Sequence, residues 1–91
     1  MPIVIKATVP GMTREQYNGM SEQMLPQIKK MKGFIAHAGV PIPGGIQVIE
    51  FWESQEDFDV WIKTVVKPAS AAAGITPFGL EVLPAERAIT R

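Results

Sequence analysis

A single histidine is the side chain of this sequence best suited to proton-transfer chemistry. His37 is the only histidine among the 91 residues, and histidine exchanges a proton near neutral pH more readily than any other side chain. It is a candidate general base for an acidic phenol or enol, whose carbanion then reacts with oxygen directly. The simpler interpretation is a histidine hydrogen-bonded within a sheet or an interface. The sequence favours it, because no orienting partner for a base can be assigned.

Aromatic and sulfur-containing side chains are the candidates for the walls of a ligand pocket between sheet and helices. Trp52 and Trp61 offer flat surfaces to an aromatic compound, Tyr17 can donate a phenolic hydrogen bond, and Met24 is adaptable. Each residue also has a purely structural interpretation. Trp61 falls on an apolar helical stripe and Tyr17 packs near a helix start, whereas Trp52, at a strand end, is expected to keep one edge exposed.

The other polar residues predict no metal centre and no other cofactor. One histidine with scattered carboxylates lacks the ligand clustering that zinc or iron requires. Polar side chains inside the apolar strands form either a polar cluster in a cavity or, as the sequence favours, paired charges at an interface. These side chains are Lys6, Thr8, His37, Glu50 and Glu81.

Composition excludes several classes of protein. Apolar residues make up 46% of the chain, and nine basic residues balance nine acidic ones, so no basic surface is left for nucleic acid. Without cysteine there is no disulfide framework, and no apolar run is long enough to span a bilayer. With no signal peptide visible, we expect one cytoplasmic domain covering residues 1–91.

The first half of the chain predicts a strand, a helix and a second strand. Residues 3–9 alternate with period two, which indicates a strand. Thr13 and Gln16 have the spacing of a capping box at a helix start, and Pro26 is expected to kink or split that helix. Residues 34–40 read as a second, weaker strand. The apolar stripe of the helix consists of Tyr17, Met20, Met24, Ile28 and Met31.

The second half predicts a turn at residues 41–45, a strong strand at 46–53, a helix and a last strand at 78–83. Ser54 caps the helix with Asp57 at its third position. Pro68 either ends this helix or starts a short one, with residues 69–73 as a further helical turn. The apolar stripe of the helix consists of Phe58, Trp61, Ile62, Val65 and Val66.

The order β-α-β-β-α-β indicates an α+β, ferredoxin-like fold with two helices on one face of a four-stranded antiparallel sheet. The third strand is apolar on both sides: Ile46, Val48 and Trp52 share one face, and Ile49 and Phe51 share the other. A sheet with helices on one side normally shows polar residues on its open side. We therefore expect a second copy of the chain to cover that face and form a homodimer.

Two segments carry a resemblance to a known family. These are the strand-to-helix passage "VIEFWESQEDFDVWI" and the "GFIAHAG" that follows the first helix. Over residues 3–84 the chain resembles the antibiotic biosynthesis monooxygenase-like members of the dimeric α+β barrel superfamily. The resemblance implies two ferredoxin-like subunits packed sheet to sheet. Members of this group include cofactor-free oxygenases of polyketide-like phenols, quinol oxidases, haem-degrading oxygenases and proteins of unknown role.

The haem-degrading members of that group combine three residues, and this chain matches one of them. They carry an Asn on the first strand, the Trp of the Phe-x-x-Trp element, and an axial His ten residues later. Trp61 matches the Trp, but the position of the axial His holds Ala71, and the only asparagine is Asn18 in the first helix. Haem degradation by that scheme is therefore disfavoured.

The sequence thus predicts a cofactor-independent monooxygenase-like protein acting on a small aromatic or polyketide-like compound, with His37 as the base. The alternative is a non-catalytic homodimer that binds a small ligand or serves as an accessory protein. An apolar cavity with His37 pointing away from it would favour that alternative. Cyclisation or isomerisation without oxygen needs the same base and is not separated from the first hypothesis by sequence.

Overall fold

The computed structural model describes residues 1–73 and 79–87, and within them it confirms the predicted order of strands and helices. Phe78, the predicted start of the last strand, lies outside these residues. The elements are β1 (Ile3–Pro10), α1 (Arg14–Ile28), β2 (Phe34–Ile42), β3 (Gly45–Trp52), α2 (Gln55–Trp61), a π-helical segment (Ile62–Val66), α3 (Lys67–Ala73) and β4 (Leu80–Pro84).

The four strands form one antiparallel sheet in the order β2-β3-β1-β4. This is the ferredoxin-like arrangement that the sequence predicts. Ile28 of α1 and Phe58 and Trp61 of α2 pack in one cluster with Ile3 and Ile5 of β1, so the helices cover a single face of the sheet. The candidate site described below lies on that helix-covered face.

Strand β1 shows how period-two alternation selects this face. Ile3, Ile5, Ala7 and Val9 are between 1% and 7% exposed, while the residues between them are half-buried. In the β1–β3 register, Ile5 lies opposite Glu50. A carboxylate is thereby placed on the same buried face as the apolar residues of β1.

Both predicted helix starts are confirmed. The Thr13 side chain accepts from the Gln16 backbone N–H while the Gln16 side chain accepts from the Thr13 N–H, and Ser54 accepts from the Asp57 N–H. These caps fix where α1 and α2 begin, because each satisfies backbone donors that have no partner inside the helix. Helix α1 continues two residues past Pro26, to Ile28, so the proline does not split it.

The second helical region changes its winding before Pro68. The Lys67 backbone N–H donates to the Ile62 carbonyl, a π-type bond, and α3 then begins at Lys67. Pro68 therefore starts a short helix, one of the two predicted outcomes, and lies in its first turn, where a missing N–H costs little. Among the described residues, no helix is long and apolar enough to cross a membrane.

A β-bulge in β2 changes which of its side chains face the helices. Phe34 pairs with Trp52, but the register shifts before Ala36, and His37 then pairs with Glu50. In a regular strand Phe34 and His37, three residues apart, would face opposite sides, but here they do not. One extra residue in the bulged strand reverses the alternation, so both rings lie on the helix-covered face.

Candidate functional site

A cavity of about 120 Å³ lies between the helix-covered face of the sheet and the helices. The polar side chains that line it are Tyr17, Ser21, His37 and Glu50. Its apolar walls include Ala7 and Val9 of β1, Met20 and Met24 of α1, and Ile62 and Val66 of the π-helical segment. An apolar cavity with few polar groups is the usual form of a small-molecule site.

A chain of three short hydrogen bonds runs along one side of this cavity. The Tyr17 hydroxyl lies 2.6 Å from His37 Nε2, and His37 Nδ1 lies 2.7 Å from Glu50 Oε2. The indole N–H of Trp52 donates to Glu50 Oε1 at 2.9 Å. Four side chains from α1, β2 and β3 are therefore linked in the order Tyr17, His37, Glu50, Trp52, hereafter the polar relay.

The hydrogen-bond partners in the polar relay favour one tautomer of a neutral His37 ring. Both oxygens of Glu50 face N–H donors, which is the environment of an ionised carboxylate. His37 Nδ1 must then carry the hydrogen that is donated to Glu50. In the neutral ring, Nε2 then keeps a lone pair and accepts from the Tyr17 hydroxyl. This is the arrangement that prepares an imidazole to accept a proton at Nε2.

The sheet register brings His37 and Glu50 together. They are direct cross-strand partners between β2 and β3, and the bulge after Phe34 is what turns His37 toward the cavity. Glu50 and Trp52 are two residues apart on one strand and therefore share a face. The carboxylate is thus held between a neighbouring strand and its own strand.

Tyr17 reaches His37 because β2 has no side chain at Gly39. A Cβ atom at Gly39 would overlap the Tyr17 ring and hydroxyl, so only glycine allows the ring to lie against the strand at this point. The Tyr17 and His37 rings are parallel within 5°, with centroids 6.0 Å apart. The capping box at Thr13 places Tyr17 in the first turn of α1 at the height of the cavity.

Glu50 needs its hydrogen-bond donors because its carboxylate is buried. Glu50 is the one charged residue among the described residues that is buried, at 6% exposure, and the His37 side chain is 18% exposed. A buried carboxylate is costly unless it is paired and hydrogen-bonded. Here the two N–H donors meet that requirement, and the described residues show no buried side-chain nitrogen or oxygen without a partner.

The structure places four of the five predicted site residues in the cavity wall. His37, Tyr17, Trp61 and Met24 line it. Trp52, which the sequence predicts to keep one edge exposed, has no exposed surface and lies behind Glu50.

Glu50 is a candidate site residue that the sequence does not place in the cavity. The sequence favours an interface role for the strand polar residues, but Glu50 and His37 face the cavity together. Lys6 and Glu81 are cross-strand partners on the opposite face. The sequence does contain a signal for this position, because strand alternation puts Glu50 on the same face of β3 as the apolar residues Ile46, Val48 and Trp52.

The donor set of the described residues does not fit a haem iron or another metal. Ala71, at the position of the axial ligand, lies exposed in α3. Both ring nitrogens of His37, the only histidine, already have partners. No group of three or more His, Cys, Asp or Glu side chains within residues 1–73 and 79–87 is arranged to hold a metal ion.

Comparison with known proteins gives structural relatives only. No protein-family model matches the chain, and no curated protein matches it significantly. Among solved structures, SnoaB of Streptomyces nogalater, a cofactor-independent oxygenase, is 10% identical with a TM-score of 0.69, and the alignment covers 99% of this chain and 97% of SnoaB.

Two further structures represent other branches of the same fold. The haem-degrader MhuD of Mycobacterium tuberculosis, solved with two haems in its active site, is 21% identical over 99% of this chain and 100% of its own, with a TM-score of 0.63. A Chloroflexus aurantiacus protein assigned provisionally to the antibiotic biosynthesis monooxygenases is 16% identical over 97% of both chains, with a TM-score of 0.66.

These likenesses extend over almost the whole chain at low sequence identity. They are therefore likenesses of fold, and they include a cofactor-independent oxygenase and a haem-degrading enzyme, so they do not select one chemistry. The resemblance carried by "VIEFWESQEDFDVWI" is confirmed at the level of the fold: the chain has the ferredoxin-like α+β fold of the antibiotic biosynthesis monooxygenase-like proteins.

Proposed function

We propose that the protein is a cofactor-independent monooxygenase-like enzyme acting on a small aromatic compound with an acidic phenol or enol. The observation that carries this proposal is the His37–Glu50 pair, 2.7 Å apart in the wall of an apolar cavity. A histidine held by a carboxylate has the orienting partner that a general base requires. The sequence alone did not identify that partner.

The base removes a proton from the substrate, and the electrons for oxygen reduction come from the substrate itself. The carbanion attacks O₂ at carbon, and the peroxide that forms takes up a proton. Loss of water then leaves a carbonyl group on the ring. One oxygen atom is retained and the other leaves as water, so this route needs no metal, flavin or haem.

The cavity favours a neutral compound with a single ring. Its volume of about 120 Å³ is close to the ~150 Å³ of an apolar cavity that holds benzene. Among the described residues that line it, none is Lys or Arg, so a substrate carboxylate would have no counter-ion there and would face Glu50. We propose a single-ring hydroquinone or related phenol, with any larger polyketide-like part at the open end of the cavity.

Oxygen uptake tests this proposal. Wild-type protein and His37→Ala are compared on a panel of neutral single-ring hydroquinones, each beside its carboxylated analogue. We expect uptake with at least one neutral compound, weaker uptake with its carboxylated analogue, and a loss of about 10²–10⁴-fold in His37→Ala. Uptake by the wild type that never exceeds that of His37→Ala would contradict the proposal.

The alternative function is a binding or accessory protein that holds the same class of ligand without turnover. One observation favours it: in the resting structure both ring nitrogens of His37 are engaged, so neither is free to meet a ligand. Saturable binding of a neutral phenol by calorimetry, together with no oxygen uptake and no product, would identify this function.

We also propose that the protein is a homodimer, with a second copy on the open face of the sheet. In the single chain, Val40 and Leu83 of that face are 37% and 42% exposed, and Ile49 and Phe51 are only half-buried. An exposed apolar sheet face of this kind favours association. Sedimentation should give twice the chain mass of 10.0 kDa, and a monomer at micromolar concentration would contradict the proposal. A single cytoplasmic domain over residues 1–91 stays a prediction.

A further inference from the structure

We infer that Tyr17 is the residue that contacts the substrate's acidic group, and that it passes the proton to His37. This inference rests on the proposed function, which requires a proton to leave the substrate, and assigns that step to a different residue. The sequence interpretation gave Tyr17 at most the role of a hydrogen-bond donor in the pocket wall. The observations that follow make it the outer end of the polar relay.

His37 has no free nitrogen with which to meet a substrate. Nδ1 donates to Glu50 Oε2 at 2.7 Å, and Nε2 accepts from the Tyr17 hydroxyl at 2.6 Å. A substrate proton therefore reaches His37 only through the Tyr17 oxygen, unless Tyr17 first moves away. Such a movement would break the 2.6 Å hydrogen bond to Nε2 and the close approach of the Tyr17 ring to Gly39.

The Tyr17 oxygen has the capacity to accept a proton. A phenolic hydroxyl has one hydrogen to donate and acceptor lone pairs besides. Within the described part of the chain, the only hydrogen bond of this hydroxyl is the one to His37, and Tyr17 lines the cavity. Its acceptor side is therefore available to a ligand hydroxyl in the cavity.

In the proposed transfer two protons move in the same direction, one from the substrate to Tyr17 and one from Tyr17 to His37. The substrate O–H bond breaks as its proton forms a new O–H bond at Tyr17, while the original Tyr17 O–H bond breaks and its proton forms an N–H bond at His37 Nε2. The products are a substrate anion, a neutral Tyr17 and a protonated His37 that remains paired with the Glu50 carboxylate. Tyr17 ends the step neutral, with its hydrogen now on the substrate side, and the relay acts again only after His37 has given up its proton.

Tyr17 is the only tyrosine in the chain, which allows a direct test of its role. Growth on 3-fluorotyrosine or 3,5-difluorotyrosine changes the acidity of this one phenol without removing it. The probe is 4-nitrophenol, a single-ring phenol whose anion absorbs visible light. Its ionisation when bound is followed against pH without oxygen, and oxygen uptake on the best hydroquinone is measured in parallel.

If Tyr17 carries the proton, bound 4-nitrophenol ionises at lower pH than the free probe. As fluorine atoms are added, Tyr17 loses its hydroxyl hydrogen at lower pH, so the alkaline limb of the pH profile of oxygen uptake moves step by step toward lower pH. Tyr17→Phe keeps the ring but removes the relay; it should return the ionisation of the bound probe toward that of the free probe and reduce oxygen uptake about 10²-fold or more. Thr64→Val, which removes an exposed hydroxyl far along the second helical region, is the control and should change neither measurement.

Several results would overturn the inference. Fluorination without any effect on the pH profile would give Tyr17 a purely structural role, and full activity in Tyr17→Phe would show that His37 meets the substrate directly. Failure of 4-nitrophenol to bind would also count against a phenol site at Tyr17. A different result would be ionisation of the probe that depends on Tyr17 but is accompanied by no oxygen uptake. That result would support the proton relay and contradict the oxygenase function, so the two proposals can fail separately.

Discussion

The helix-covered face of the sheet has two halves of opposite character. In one half, hereafter the aromatic half, the Trp52 ring packs against Phe34, Phe58 and Trp61 with centroids 5.5, 5.9 and 6.4 Å away. In the other half, hereafter the polar half, Tyr17, His37 and Glu50 line a cavity. The aromatic half is filled by packed rings, whereas the polar half contains a cavity next to its hydrogen-bonded side chains.

The two halves are joined by a hydrogen bond from the indole N–H of Trp52 to Glu50 Oε1, and Phe58 and Trp61 of the aromatic half also line the cavity. Trp52 therefore belongs to both: its ring contributes apolar burial, and its N–H satisfies the Oε1 atom of the buried Glu50 carboxylate, which would otherwise lack a donor. We infer that stability depends mainly on the aromatic half and that the proposed chemistry depends on the polar half. Substitutions in the aromatic half should unfold the protein, and those in the polar half should leave it folded and inactive.

The largest effect is expected from Trp52→Ala. Removing a fully buried indole from the aromatic half costs about 3–5 kcal/mol of the free energy of unfolding. That is a large fraction of the roughly 5–15 kcal/mol that holds a domain folded. Urea denaturation measures the loss. Val60→Ala, at a site 51% exposed in α2, is the control and should stay within about 0.5 kcal/mol of the wild type.

Glu50→Gln should separate chemistry from stability. The amide N–H₂ must face either the Trp52 N–H or the His37 Nδ1–H, so one donor opposes another unless His37 changes its tautomer. With the other tautomer, Nε2 carries a hydrogen and no longer accepts from Tyr17. We expect oxygen uptake to fall by about 10²–10⁴-fold while the protein stays folded.

The control for Glu50→Gln is Glu53→Gln, the same change at an exposed residue just after β3. It should keep the oxygen uptake of the wild type. Equal losses in the two variants, or a Glu50→Gln protein with full activity, would show that the buried carboxylate has no part in the reaction.

Trp52→Phe tests the hydrogen bond that joins the two halves. The substitution keeps most of the ring but leaves Glu50 Oε1 without its donor, which should cost about 1–3 kcal/mol beyond the loss of ring area. Trp61→Phe makes the same change in the same cluster, and no hydrogen bond to its indole is found among the described residues. A stability loss no larger in Trp52→Phe than in Trp61→Phe would mean that the hydrogen bond adds nothing.

The smallest effect on stability is expected from Gly39→Ala. The added methyl group displaces the Tyr17 ring from β2 and opens the polar relay at its outer end, while the aromatic half is untouched. Oxygen uptake should fall as in Tyr17→Phe. Gly19→Ala, in α1 with no atom near the added methyl, should be stabilised by about 1 kcal/mol and remain active.

The sequence predicts the fold well because the fold depends on local patterns. Alternation in β1 and the caps at Thr13 and Ser54 are read from residues a few positions apart, and the structure confirms them. These signals need no knowledge of which strands are neighbours.

The candidate site is less predictable because it depends on register. The pairing of His37 with Glu50 follows from the β2–β3 alignment, and that alignment contains a bulge that the alternation of the sequence does not reveal. The sequence predicts an exposed edge for Trp52 because local patterns do not show that the Phe34 ring of β2 and the Phe58 and Trp61 rings of α2 cover it. The sequence gives one hint that Glu50 needs a partner: by strand alternation it shares a face with the apolar residues Ile46, Val48 and Trp52.

The central claim is that His37 is held between Tyr17 and Glu50 with its proton on Nδ1. Because the chain has one histidine, the ¹⁵N spectrum of its imidazole ring has a single source. With the ring neutral, the Nδ1–H tautomer should dominate, and Tyr17→Phe should shift the Nε2 resonance while leaving Nδ1 bonded to Glu50. A dominant Nε2–H tautomer, or a ring that averages both tautomers as in free histidine, would contradict the account.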